Sequence, residues 1–245
     1  MHAQIVLFDG FDPLDAVAPY EVLSAGGTAC PGAVTVELVS AEGPREVVSG
    51  TGGLALRATA ALDPGRAGLV VVPGASGRIG APDETPDHEA GATTARQPGE
   101  TTSVETAPVE TPSVETVPVL LGRTLTTDLP VLLKAAMENP EVTVGAVCGG
   151  SLVLAMAGLL EGRHATTHHL GLDMLDATGV RAVGARVVDD GDLVTGAGVT
   201  SGLDLGLYLL ERELGPRVAH AVEGLFAHER RGTVWRAEGP EPAPF

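Results

Sequence analysis

Strands alternating with helices along most of 245 residues predict one doubly wound α/β domain, a mostly parallel sheet with helices on both faces. Three observations carry this expectation. Residues 3–8, 69–73 and 142–147 are nearly unbroken apolar runs, the pattern of strands covered on both faces. The last run meets an apolar helical segment, 152–160, across only Cys148-Gly149-Gly150-Ser151, with no room for a loop. Helix-start signals lie between the runs: Asp12 as an N-cap before Pro13, and Thr127 or Asp128 before a helix ended by Asn139-Pro140.

The elements follow in order. The first strand turns at Asp9-Gly-Phe-Asp-Pro13 into a helix over 14–24, where Pro19 predicts a kink or a late restart. Residues 34–40 alternate as a second strand, and 46–57, containing Ser49-Gly-Thr-Gly-Gly53, form a short strand or hairpin. The third core strand, 69–73, runs into Gly74-Ala-Ser-Gly77. After the cysteine turn and its helix come a short strand over 162–169 and a helix over 170–177. A hairpin over 185–195 turns at Asp190-Gly191, and helices cover 203–214 and 219–228.

From 80 to 118 the composition changes. A five-residue repeat runs Ser103-Val-Glu-Thr-Ala107, Pro108-Val-Glu-Thr-Pro112, Ser113-Val-Glu-Thr-Val117. Evenly spaced Pro, Thr and Glu bury too little apolar surface to offset chain entropy, which predicts a disordered, extended acidic insertion. Residues 1–79 and 119–237 together are then one domain, 80–118 the insertion, and 238–245 an extended proline-rich tail.

Composition excludes several function classes. The formal charge of −17 argues against a nucleic-acid footprint and an anionic membrane surface, since both need a basic face. No apolar run approaches the roughly 18 residues of a membrane span. Two cysteines, Cys30 and Cys148, and a strand that starts almost at the first residue predict a reducing, cytoplasmic setting with no targeting segment.

Cys148 carries the chemistry. A tight strand-to-helix turn pushes its central side chain out at the carboxyl edge of the sheet, at the amino end of the next helix. Helix dipole and unpaired N–H groups there are expected to pull the thiol toward thiolate, the form that attacks electrophiles. The pattern also fits a small cysteine packed between sheet and helix; the Gly149-Gly150 pair favours the nucleophile. Asp15, in the first helical turn, falls at the same sheet edge and is the candidate proton carrier, or else caps a helix. The N–H groups of Gly74, Ala75 and Gly149 are candidates to face the reacting atoms, although 74–77 also fits a plain turn. Thr167, His168 and His169, at the end of a short strand, are candidate pocket residues, and histidines so placed also serve structural hydrogen bonds. No metal or cofactor site is expected.

Five segments in one order carry a resemblance: Phe11-Asp-Pro-Leu-Asp15-Ala-Val-Ala-Pro-Tyr-Glu-Val-Leu23, Val71-Val-Pro-Gly74, Ala146-Val-Cys148-Gly-Gly-Ser-Leu-Val-Leu-Ala155, Arg163-His-Ala-Thr-Thr-His168 and Val194-Thr-Gly-Ala-Gly-Val-Thr-Ser-Gly-Leu-Asp204. Together they resemble the ThiJ/PfpI superfamily of class I glutamine amidotransferase-like proteins, most of all its isonitrile hydratase branch and the sensor domains of AraC-type regulators. The resemblance implies a flavodoxin-like fold, a homodimer and a cysteine nucleophile at Cys148. It also implies an acidic partner at Asp15 and conversion of an isonitrile to an N-substituted formamide through a thioimidate. The chain departs from that pattern at Gly149, where the hydratases carry Thr, at Ala75, where the family turn has a second glycine, and at His169, where an aromatic is common.

Two other functions follow from the same resemblance. One is a non-catalytic metabolite-binding regulator, although fewer than 10 residues follow Arg236, against the helix-turn-helix domain that such proteins append. The other is a glyoxalase, deglycase or redox-stress protein, with a histidine such as His168 close to the sulfur.

Overall fold

The computed structural model describes residues 1–78 and 115–240, so the expected insertion, except its last four residues, and most of the tail lie outside it. The chain begins with β1 (His2–Leu7), α1 (Pro13–Ala29) and β2 (Thr35–Ser40). A hairpin of β3 (Arg45–Val48) and β4 (Ala55–Ala58) precedes β5 (Ala60–Ala61) and β6 (Gly68–Val72). After the undescribed segment come α2 (Val117–Thr124), α3 (Leu129–Glu138), β7 (Val142–Val147) and α4 (Gly150–Met156). Then follow β8 (His164–Ala165), α5 (Leu172–Asp176), β9 (Arg181–Ala182), β10 (Val187–Asp189), β11 (Leu193–Gly196), α6 (Ser201–Leu214), α7 (Pro216–Phe226) and β12 (Trp235–Arg236).

Among the described residues eight strands form the central sheet in the order β12-β10-β11-β7-β6-β1-β2-β5, parallel throughout except for the β10–β11 hairpin. The expected flavodoxin-like, mostly parallel α/β architecture is what the chain adopts. Its middle strands are the apolar runs: Ile5, Val70, Val71, Ala146 and Val147 are fully buried, as strands covered on both faces must be. Because β1, β6 and β7 are adjacent and parallel, their carboxyl ends put the 9–15, 73–77 and 148–150 turns side by side.

Three expectations are corrected. Pro19 does not interrupt α1, which runs through it to Ala29. A proline forfeits one helical hydrogen bond, but the Pro19 region packs against glycines 202 and 206 of α6, and that contact holds the helix line. Residues 115–118 do not belong to an extended insertion: Thr116 pairs with Arg78, and Val117 opens a helix. Pro118 in its first turn suits a helix start, and buried Leu120 and Leu121 anchor it, so the repeat masks a helix that only tertiary contacts define. The short strand expected over 162–169 does form but is confined to His164–Ala165, and it pairs with β9 outside the main sheet.

Candidate active site

Cys148 sits one residue beyond β7 with φ of +54°, one of two non-glycine residues with positive φ among those described. A left-handed backbone is costly for a residue with a Cβ, so the surrounding bonds must impose it. They do. The Cys148 N–H donates to the Gly196 carbonyl at 3.0 Å, and its own carbonyl accepts from Thr167 Oγ1 at 2.7 Å and Ser151 Oγ at 3.1 Å. The turn is closed by Gly150, which has no space for a side chain: a Cβ there would lie 2.1 Å from the Val72 carbonyl oxygen. The predicted elbow is therefore present, and Cys148, largely buried, lines a cavity.

Asp15 lies beneath the thiol, fully buried on the first turn of α1. Its Oδ2 accepts the Gly74 N–H at 3.0 Å, while Oδ1 is buried without a settled hydrogen-bond partner and is left to the neighbouring thiol. A side chain at 74 would collide with both the Gly149 N–H and Asp15, which fixes how closely the three turns approach. Burial, then the negative charge of Asp12, raises the Asp15 carboxyl to about 8, against the opposing pull of the Gly74 N–H. Asp15 thus holds a proton over most of the neutral range.

The thiol departs from the sequence expectation. Burial, followed by the negative charge of Asp15, pushes Cys148 well above an ordinary thiol, and the Gly149 N–H only partly offsets this. The dipole of a seven-residue helix is too small to overcome that desolvation. Cys148 is consequently a thiol at rest, and becoming a nucleophile requires a carboxylate beside it to take the proton.

A cavity of about 370 Å³ opens above the sulfur. Its walls are apolar: Ala75, Val117, Leu121, Leu152, Met156, Leu170, Met174 and Val199, with Pro118 and glycines 77, 149 and 171. Asp12, Ser76 and His168 supply the polar side chains besides Cys148. Of the expected pocket residues only His168 lines it. Thr167 is buried below, tied to the Cys148 carbonyl, and His169 is exposed, its ring against that of His168. His168 Nδ1 accepts the Leu170 N–H at 3.3 Å, and burial with the neighbouring His169 lowers its pKa, so it presents a neutral ring. Of the expected backbone donors, Gly74 is committed to Asp15, Gly149 faces the sulfur, and Ala75 borders the cavity.

Sequence reasoning missed Asp12 as a site residue, reading it only as a cap. It is one, accepting the Leu14 N–H at 2.9 Å, yet its side chain also borders the cavity. The signal was its position three residues before Asp15, on the same turn. The α2 contribution to the cavity wall had no sequence signal beyond Val117-Pro-Val-Leu-Leu121.

Residues 123–212 match the DJ-1/PfpI family. Over 80 residues the chain is 48% identical to an isonitrile hydratase of Pseudomonas putida, covering 33% of this chain and 35% of that protein. Over 92 residues it is 39% identical to the HTH-type transcriptional regulator CdhR of Pseudomonas aeruginosa, covering 37% and 27%. The matches thus span about a third of the length of these relatives. A crystal structure of a ThiJ/PfpI family protein from Pseudomonas syringae superimposes with a TM-score of 0.66 at 22% identity, over 94% of this chain and 76% of that one, a likeness of fold. The chain carries a DJ-1/PfpI family domain, with Cys148 on its elbow and Asp15 beneath it.

Proposed function

We propose that the protein is a cofactor-free cysteine enzyme that hydrates a small apolar isonitrile to the N-substituted formamide. The observation that carries the reading is the stacking of three features: an apolar cavity, an elbow thiol on its floor, and a buried carboxyl under that thiol. Asp15 in its ionised form takes the thiol proton as sulfur attacks the terminal isonitrile carbon, then delivers that proton to the same carbon. The product is a thioimidate, R–N=CH–S–Cys148. Water adds to its carbon, the C–S bond breaks, and formamide leaves with one water proton on nitrogen and the other on sulfur. An apolar cavity suits an uncharged substrate whose reactive atom is carbon, because no strong counter-charge is needed to bind it. Similarity to an isonitrile hydratase supports the same chemistry.

The test is turnover of n-butyl isonitrile, read as formamide by NMR, with Cys148→Ala and Asp15→Asn as controls. Formamide lost in both variants is the expected result. The second reading, a metabolite-binding protein without turnover, is favoured by the strongly raised thiol and by the similarity to a transcriptional regulator. Ligand-induced thermal stabilisation with no product would select it. Turnover of methylglyoxal instead would select the glyoxalase or deglycase reading.

A further inference from the structure

Hydration has two half-reactions, each with its own proton transfers, and Asp15 is placed for only the first of them. It is fully buried and does not line the cavity from which water must arrive. The group that activates water must therefore stand on the cavity wall. The wall offers few choices among the described residues. Ser76 is too weak a base, and its Oγ already accepts from Thr51 Oγ1 at 2.9 Å. His168 has Nδ1 occupied as an acceptor, which leaves Nε2 carrying the hydrogen, so the ring can donate toward the cavity but not accept there. Asp12 remains. It borders the cavity together with Cys148 and is half-exposed, so water reaches it. One of its oxygens is fixed by the Leu14 N–H, which holds the side chain at the helix start, and the other accepts from no described group.

Resting on the hydratase reading, we infer that Asp12 is the base for the second half-reaction, the hydrolysis of the thioimidate. Its free carboxylate oxygen takes a proton from the incoming water as the water oxygen bonds to the thioimidate carbon. That proton passes to the imidate nitrogen. The remaining hydroxyl proton goes to sulfur as the C–S bond breaks and the carbonyl forms. The two carboxyl groups divide the reaction: Asp15 serves sulfur from beneath, and Asp12 serves water from the open side.

The experiment is rapid mixing of full-length protein with n-butyl isonitrile, followed by acid quench and intact-mass measurement, beside steady-state formamide production. Asp12→Asn keeps the cap, since Asn is as good an N-cap as Asp. The expected result is that this variant forms the Cys148 adduct at the wild-type rate or faster but accumulates it. Its turnover should fall by at least about 100-fold, the usual worth of a positioned base. Asp15→Asn, in contrast, should form no adduct. Wild-type-like turnover in Asp12→Asn, or loss of adduct formation there, overturns the assignment. Absence of both adduct and formamide with the wild-type protein overturns the hydratase reading itself and this assignment with it, an outcome distinct from the other two.

Discussion

Replacing Asp15 by Asn tests the electrostatics of the site without reference to any substrate. The carboxyl titrates near 3.8 when unfolded and near 8 in the folded protein, where burial is the main cause. A folded-state value raised this way contributes stability that is fully present below 3.8 and is lost as pH rises through about 8. At pH 7 the folded protein therefore forgoes roughly three pH units of ionisation free energy that the unfolded chain gains, at most about 4 kcal/mol. Asn is close in shape, and its Oδ1 still accepts the Gly74 N–H, but it has nothing to ionise. Asp15→Asn should be more stable than wild type at pH 7 by up to about 4 kcal/mol, with a gap that widens by about 1.4 kcal/mol per pH unit from pH 5.5 to 8 and levels off above. Urea unfolding followed by circular dichroism at several pH values reads this directly. A gap that does not change with pH, or a less stable variant, would refute the claim that a raised carboxyl sits under the elbow.

Three further outcomes follow from the same structure. Iodoacetamide at pH 7 should label the more accessible Cys30 faster than Cys148, which is buried and holds its proton. Gly150→Ala should lower stability by at least about 1–3 kcal/mol, since the new methyl meets the Val72 carbonyl, while Gly149→Ala, whose nearest neighbour would be 3.4 Å away, should unfold at nearly the wild-type temperature. Arg186→Ala should cost about 3 kcal/mol, because it leaves Asp204, 2% exposed, without the guanidinium that bonds it at 2.7 and 3.0 Å; replacing both residues by apolar ones should recover most of the loss in thermal unfolding.

Much of the site was legible in the chain because its signals are local. Cys148-Gly149-Gly150 between an apolar run and a helix admits few geometries, and the left-handed backbone at Cys148 follows from that spacing. Asp15 was placed correctly because a residue in the first turn after β1 must lie at the carboxyl edge of a parallel sheet. The core strands were likewise legible from hydrophobic runs that are too continuous for an exposed sheet. The helix at Val117–Thr124 was not legible, since its stability comes from Leu120 and Leu121 inserting against distant turns and not from its own propensity.

What the sequence by itself determined was the fold class, the elbow and the two side chains that meet at it, Cys148 and Asp15. Only the tertiary structure decided their protonation. Spacing along a chain shows which dipole a thiol sits on, but not how much water three converging turns exclude from it. Here that exclusion outweighs the dipole and leaves both Cys148 and Asp15 holding protons. The same packing turned Asp12 from a helix cap into a residue that also lines the cavity, a space that exists only once β1, β6, β7 and α2 have come together.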